Sequence, residues 1–147
     1  MYNQFKMFVV FSVVFALQKT VAQDIQWDKS YGGQQADYLT DVVSTPDYGF
    51  LVAGSSLSRK SGNKSDNGHG DLDYWIWKMK ENGDPEWQKS YGGPGADFLQ
   101  TVKLTADGGF ILAGTSDSAP NPDPEVQKGF GGNDFWILKL DARGNQE

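Results

Sequence analysis

Residues 87–118, WQKSYGGPGADFLQTVKLTADGGFILAGTSDS, repeat residues 27–58, WDKSYGGQQADYLTDVVSTPDYGFLVAGSSLS, at an offset of 60. The two stretches agree at 18 of 32 positions, and most of the mismatches exchange similar side chains. A shorter pair follows at an offset of 61, where residues 73–79 (DYWIWKM) return as residues 134–140 (DFWILKL). Self-similarity at a fixed period is typical of arrays in which each unit needs neighbours to bury its apolar faces. We therefore divide the chain into repeat 1, residues 23–84, and repeat 2, residues 85–147.

The end of repeat 2 predicts that the array continues. Residues 82–86, NGDPE, are followed by Trp87, and residues 143–147, RGNQE, stop where the next such Trp is expected. Because arrays usually need three or more units for stability, the sequence favours an N-terminal fragment of a longer protein over a complete protein of two repeats. Further repeats, or other copies of the chain, are the expected partners.

The N-terminus predicts export. Lys6 gives residues 1–22 a positive start, residues 7–17 are apolar, and small residues precede a cleavage point after Ala22, which is the pattern of a secretory signal peptide. The apolar run is too short for a membrane span, which needs about 20 residues. The mature protein is therefore expected to be secreted or held at the cell surface.

The composition excludes several classes of function. Of the 13 basic residues, Lys6 and Lys19 leave with the signal peptide, so 11 basic residues face 19 acidic ones and the net charge is −8. Nucleic acids and anionic membranes need clustered Lys and Arg, and are disfavoured as partners. The absence of cysteine excludes disulfides, thiolate metal sites and thiol catalysis, and suits an exported bacterial protein.

The pattern of turns and apolar runs predicts an all-β fold. In repeat 1, turn-forming residues separate four runs rich in aromatic and β-branched side chains, at residues 25–31, 37–45, 50–55 and 74–80. Residues 46–49 and 106–109 are predicted hairpin turns in which Gly supplies the positive φ. No window outside the signal peptide has helical periodicity. Continuous apolar runs such as FLVAG predict strands covered on both faces, and hence two four-stranded antiparallel blades, stacked as a partial β-propeller.

Several spaced elements recur together: W-x-K-S-Y-G-G, A-D, D-x-G-F, A-G-[ST]-S and D-[YF]-W-I-x-K. This pattern resembles the tandem repeats of secreted bacterial β-propeller-like proteins, many of them cargo of type IX secretion, and covers residues 24–147. The resemblance implies four to eight blades, of which these residues supply two. Such cargo usually carries a C-terminal sorting domain, which residues 24–147 do not include, so the export route beyond the first membrane stays open.

Most residues that suggest chemistry recur in both repeats, which favours a structural role. Tryptophans at equivalent positions are expected to pack between blades, glycine pairs to form tight turns rather than phosphate cradles, and an Asp before the last strand to accept backbone N–H bonds. The residues assigned to this structural repeat are Trp27, Trp75, Trp87, Trp136, Gly32, Gly33, Gly92, Gly93, Asp73 and Asp134.

The residues that break the repeat are the candidates for ligand binding. Trp77 has Leu138 as its counterpart and is free to specialise, while His69 and Asp71 lie with Asp73 in the long loop 57–72. This loop and loop 117–133 differ most between the repeats, and variable loops on a rigid scaffold commonly carry binding. We expect no cofactor. Calcium at Asp71 and Asp73 is a minor alternative, because the regular spacing of a calcium loop is missing.

Two functions follow as hypotheses. The first is a non-enzymatic secreted or cell-surface β-propeller-type module for binding, adhesion or scaffolding, whose partner is an extracellular glycan or protein. The alternative is a polysaccharide-binding module or an accessory part of a glycan-degrading enzyme, since exposed aromatic rings stack on sugars. No pair of carboxylates is singled out for glycoside hydrolysis.

Overall fold

The computed structural model describes residues 24–118 and 131–147. The predicted signal peptide with its cut after Ala22, and most of loop 117–133, lie outside these residues. Within them the all-β prediction is confirmed, because they form seven strands and no helix, and therefore no helix that could cross a membrane. The strands are β1 (Asp37–Ser44), β2 (Phe50–Ser56), β3 (Asp73–Met79), β4 (Pro85–Tyr91), β5 (Asp97–Leu104), β6 (Phe110–Ser116) and β7 (Asp134–Leu140).

The strands form two antiparallel sheets that do not follow the borders of the repeats. Sheet 1 has the order β1-β2-β3-β4, and sheet 2 the order β5-β6-β7. The predicted first strand, residues 25–31, lies outside the strands. The fourth strand of sheet 1 is instead β4, which repeat 2 contributes, with Tyr74 opposite Tyr91 and Trp77 opposite Gln88. Repeat 2 therefore contributes its first strand to the sheet of repeat 1.

The prediction of two four-stranded sheets is wrong for sheet 2, which has three strands. The reason is the same transfer of a strand, since residues 85–91, the predicted first strand of repeat 2, belong to sheet 1. At the outer edge of β7 the chain only begins to turn back. Leu140 forms a bridge with Gln146, and the Glu147 N–H donates to the Lys139 carbonyl at 3.0 Å.

The main core lies between the two sheets. Sheet 1 contributes the buried side chains of Leu51, Tyr74 and Ile76, and sheet 2 contributes those of Leu99 and Val102, among others. Burial of each large aliphatic side chain is worth about 1.5–3 kcal/mol. The register shifts between Leu99 and Thr101, and this extra residue lets two side chains three positions apart face the core together.

A lysine ion pair recurs in both sheets and ties each hairpin turn to the third strand, with the lysine buried in sheet 1 and partly exposed in sheet 2. Lys78 Nζ lies 2.7 Å from Asp47 and 2.8 Å from Glu86. In sheet 2 Lys139 Nζ lies 2.8 Å from both Asp107 and Glu147. Hydrogen bonds from Lys78 and Thr45 lower the pKa of the Asp47 carboxyl to about 2, so this carboxyl is ionised at neutral pH.

The two predicted hairpin turns share their hydrogen bonds but differ in one residue. In each turn a Thr N–H donates to a Gly carbonyl four residues later at 2.9 Å. The residue before that Gly has a positive φ, and it is Gly108 in repeat 2 (83°) but Tyr48 in repeat 1 (63°). The expectation that Gly takes the positive φ therefore holds for the second turn only, and Tyr48 adopts a conformation that L side chains disfavour.

Candidate functional site

The aromatic residues of β4 connect the two sheets. Trp87 packs edge-on against Phe110, with ring centroids 6.5 Å apart, and its ring covers Gly144 so closely that a Cβ there would lie 2.9 Å from it. The Tyr91 hydroxyl donates to the Gly144 carbonyl at 2.6 Å. Thus β4 belongs to sheet 1 by its backbone, while its aromatic side chains pack on sheet 2.

Residues 27–31 make the same contacts on sheet 1. Trp27 packs edge-on against Phe50 at 6.3 Å and covers Gly83, where a Cβ would lie 3.0 Å from the ring. The Tyr31 hydroxyl donates to the Gly83 carbonyl at 2.8 Å. Segment 27–31 therefore sits on sheet 1 as residues 87–91 sit on sheet 2, but no strand pairs with it within the described residues.

The glycine pairs are held by carboxylates. The Gly33 N–H donates to Asp37 Oδ2 at 2.8 Å, and the Gly93 N–H donates to Asp97 Oδ2 at the same distance. These N–H groups are the ones that would bind a phosphate in a glycine-rich cradle. Because an Asp carboxylate of the protein already accepts these hydrogen bonds, the role of the Gly-Gly turns is structural.

Two buried carboxylates lie on either side of Gly92. A Cβ on Gly92 would overlap Asp73 Oδ1 and lie 2.7 Å from Asp97 Oδ2. Oδ1 of each Asp is buried without a hydrogen-bond partner among the described residues. Burial raises the pKa of Asp73, against the lowering effect of the His69 N–H, which donates to Oδ2 at 2.7 Å.

The structure brings three of the four candidate ligand-binding residues to one end of sheet 1. Asp73 is buried at the start of β3, whereas His69 and Asp71 are exposed in the loop before it. The Asp71 N–H donates to the Gly95 carbonyl at 3.2 Å, which links this loop to repeat 2. Calcium needs six to eight oxygens, and no three side chains of the His, Cys, Asp or Glu type converge on a metal position within residues 24–118 and 131–147.

The fourth candidate, Trp77, lies on the outer face of sheet 1. Its side chain is buried, with its ring 4.6 Å from that of Tyr31 and 5.2 Å from that of Trp75. An aromatic groove of about 120 Å³ opens beside it. The residues that line this groove are Tyr31, Asp37, Tyr38, Leu39, Val52, Trp75, Trp77 and Met79.

Loop 57–72 is anchored by a buried lysine that sequence reasoning missed. Lys64 Nζ lies 2.6 Å from Asp66, donates to Ser90 Oγ, and stands 5.1 Å from the centre of the Trp75 ring. The Ser90 N–H in turn donates to Asp66 Oδ2 at 3.1 Å. A lysine in a loop rich in Gly, Asn and Ser is usually exposed to solvent. Repeat 2 has no counterpart of Lys64 whose recurrence would have suggested a structural role. The loop thus binds to the strand that arrives from the next repeat.

The outer face of sheet 2 is apolar and exposed where the equivalent face of sheet 1 is covered. Phe135 is 91 % exposed and its repeat counterpart Tyr74 is 0 % exposed. Ile137 is 60 % exposed and its counterpart Ile76 is 0 % exposed. Each of these pairs occupies the same position in its third strand, so the difference comes from the neighbouring sheet that covers one face and not the other.

Among known proteins, no family model and no curated protein matches this chain.

Proposed function

We propose that residues 24–147 form two consecutive blades of a β-propeller-type array and act as a non-enzymatic module for binding, adhesion or scaffolding, secreted or at the cell surface. The transfer of β4 from repeat 2 to sheet 1 carries this proposal, since it makes sheet 1 depend on the repeat that follows it. Stacked antiparallel sheets that cover each other's faces are the architecture of propellers. The location rests on the signal peptide predicted for residues 1–22.

Recognition is assigned to the anchored loop 57–72. Lys64 holds this loop to β4, while Arg59, Lys60 and His69 remain exposed on it. A loop that is fixed on a rigid scaffold can present side chains without the entropic cost of ordering them on binding. The acidic residues that recur in both repeats have a structural role instead, because Asp37 and Asp97 accept hydrogen bonds from the adjacent Gly-Gly turns. This division of roles supports binding rather than catalysis.

The array is tested by adding a repeat. A second copy of residues 87–147 appended after Glu147 supplies a Trp-x-Lys-Ser-Tyr strand to β7 and a sheet to cover Phe135 and Ile137. We expect a higher urea midpoint and a larger dependence of the free energy of unfolding on urea, because more surface is buried cooperatively. The control carries Ser in place of the appended Trp and Tyr of that strand. Equal midpoints for the two fusions would contradict the array.

The binding role is tested with the whole chain immobilised on a sensor surface. Soluble β-glucan, xylan, collagen and fibronectin are passed over it, and over a variant with Arg59, Lys60 and His69 each replaced by Ser. We expect at least one probe to bind the parent and to be lost from the variant, with the urea midpoints of the two proteins equal. Release of reducing sugar from either polysaccharide would contradict a non-enzymatic role.

A polysaccharide-binding function is the second candidate, and the aromatic groove beside Trp77 favours it. Tyr38 is exposed at the groove, so its ring is available to stack on a sugar. Titration with soluble β-glucan or xylan should then quench Trp fluorescence, and Tyr38→Ala should abolish the quenching. Tyr48→Ala removes an exposed ring from the hairpin turn, away from the groove, and serves as the control. Quenching that is unchanged in Tyr38→Ala would exclude the groove.

A further inference from the structure

We infer that the outer edge of β7 pairs with residues 27–31 of a second copy of this chain, so that copies assemble head to tail. The inference names a partner for the proposed repeat module and rests on that proposed function. Within the described residues β7 pairs with β6, and its outer edge is met only at its end, where Gln146 bridges Leu140 and the Glu147 N–H donates to the Lys139 carbonyl. An unpaired strand edge presents N–H and C=O groups that can accept another strand.

The donor segment repeats the sequence of a strand that the molecule already pairs in this way. Residues 25–31 read IQWDKSY and β4 reads PEWQKSY, with Trp, Lys, Ser and Tyr in the same places. Segment 25–31 lies outside the strands, and Ile25 is exposed. Trp87 and Tyr91 show that a strand of this sequence pairs with one sheet while its aromatic rings pack on the next. Trp27 and Tyr31 already make the second set of contacts.

The pairing of β3 with β4 fixes the register. Ile76 lies opposite Lys89 and Tyr74 lies opposite Tyr91. Adding the offset of 61 to the β3 residues and subtracting the offset of 60 from the β4 residues gives the equivalent pairs between two copies. These pairs are Ile137 opposite Lys29 and Phe135 opposite Tyr31.

Each sheet face that this pairing brings together carries exposed apolar side chains. On sheet 1, Leu39 is 68 % exposed, whereas its counterpart Leu99 is 3 % exposed under the facing sheet. On the outer face of sheet 2, Phe135 and Ile137 are exposed, whereas their counterparts on sheet 1 are covered. Tyr74 packs on Trp136 with ring centroids 4.6 Å apart, so the same arrangement between copies places Phe135 of a second copy at the aromatic groove, where Tyr38 and Leu39 are exposed.

The two surfaces of this interface differ, so the contact is heterologous. Each copy offers a donor segment and a sheet 1 face at one end, and the β7 edge and a sheet 2 face at the other. Head-to-tail contacts of this kind close into rings or continue as filaments. In both cases one interface is used throughout, which a single pair of cysteines can report.

The test uses the absence of native cysteine in the chain. Lys29→Cys and Ile137→Cys are made in separate proteins, mixed and oxidised. Residues directly opposite in an antiparallel pair have Cα atoms about 4.5–5.5 Å apart, within the range that a disulfide spans. The matched control mixes Lys29→Cys with Phe135→Cys, which presents the same face two residues out of register, about 7–8 Å away.

We expect the in-register mixture to yield at least about tenfold more disulfide-linked dimer than the control on a non-reducing gel, since disulfide geometry is narrow. A synthetic peptide of residues 24–33 should suppress the dimer by competing for β7. Equal dimer yields in the two mixtures, or none in either, would overturn the inference. If the appended repeat raises stability while these cysteines do not cross-link, the array stands and self-assembly fails, so the two proposals are separated.

Discussion

The clearest prediction compares Ile76→Ala with Ile137→Ala. The two isoleucines occupy equivalent positions in β3 and β7, so the change in strand propensity is the same for both. Their surroundings differ, because Ile76 is 0 % exposed between the sheets and Ile137 is 60 % exposed on the outer face of sheet 2. Any difference in the cost of truncation therefore reports packing alone.

The expected costs follow from burial. Truncating a buried isoleucine costs about 2–5 kcal/mol, since the lost transfer free energy adds to the cost of the cavity. Ile137 buries roughly two fifths of its surface, so at about 1.5–3 kcal/mol for full burial its truncation costs about 1 kcal/mol. We expect Ile76→Ala to be the more destabilising by about 2 kcal/mol.

Urea denaturation followed by Trp fluorescence measures both costs, at a protein concentration low enough for monomers. Ile76→Val and Ile137→Val provide a milder pair if Ile76→Ala does not fold, with about 0.5–1.5 kcal/mol expected at the buried site. Equal losses at the two positions would refute the reasoning, because it would mean that sheet 2 does not cover the inner face of sheet 1. At high protein concentration the cost of Ile137→Ala should rise if head-to-tail assembly covers this side chain.

Three further predictions concern backbone fit and charge. Tyr48→Gly should stabilise the chain by about 1 kcal/mol in a urea titration, because the residue has a φ of 63° and an L side chain is disfavoured there. Gly92→Ala should destabilise it by about 1–3 kcal/mol, since the Cβ would overlap Asp73 Oδ1, and Gly32→Ala, whose Cβ meets only the Asp37 side chain at 2.9 Å, should cost less. The pKa of Asp47 is lowered to about 2, so the stability it contributes is present above its unfolded pKa of about 3.9 and is lost as the pH falls through 2. Asp47→Asn should flatten this part of the pH profile of the urea midpoint, and an unchanged profile would exclude the ion pair with Lys78 as its cause.

The sequence predicted the strand segments well because turn residues and apolar runs are local signals. All seven strands overlap predicted runs or their repeat equivalents to within one residue at each end, and β4 coincides with the equivalent of residues 25–31. What local patterns could not show was which sheet a strand joins. Pro85–Tyr91 belongs to sheet 1 through hydrogen bonds to β3, and nothing in its own seven residues distinguishes that partner from β5 or β7.

The candidate site was harder to predict for the same reason. The sequence singles out Trp77 because repeat 2 has Leu138 in its place, yet both side chains are buried, and the exposed ring at the groove belongs to Tyr38. Exposure depends on whether a neighbouring sheet is present, which the identity of the residue does not encode. Lys64 was missed because its burial needs Ser90 and Trp75, which belong to strands that only the fold brings together.

Within residues 24–118 and 131–147, the edge of β7 lacks the devices that usually protect such strands. Natural sheets cover or disrupt their edges with charged side chains, prolines, bulges or short strands. At its own edge β1 carries a register shift between Leu39 and Asp41, whereas β7 pairs with β6 in continuous register over seven residues. Its lysine, Lys139, is engaged by Asp107 and Glu147 as Lys78 is engaged on the covered strand β3. An edge with the regularity and ion pairs of an interior strand is suited to receive another strand, and residues 27–31 match in sequence the strand that pairs with β3.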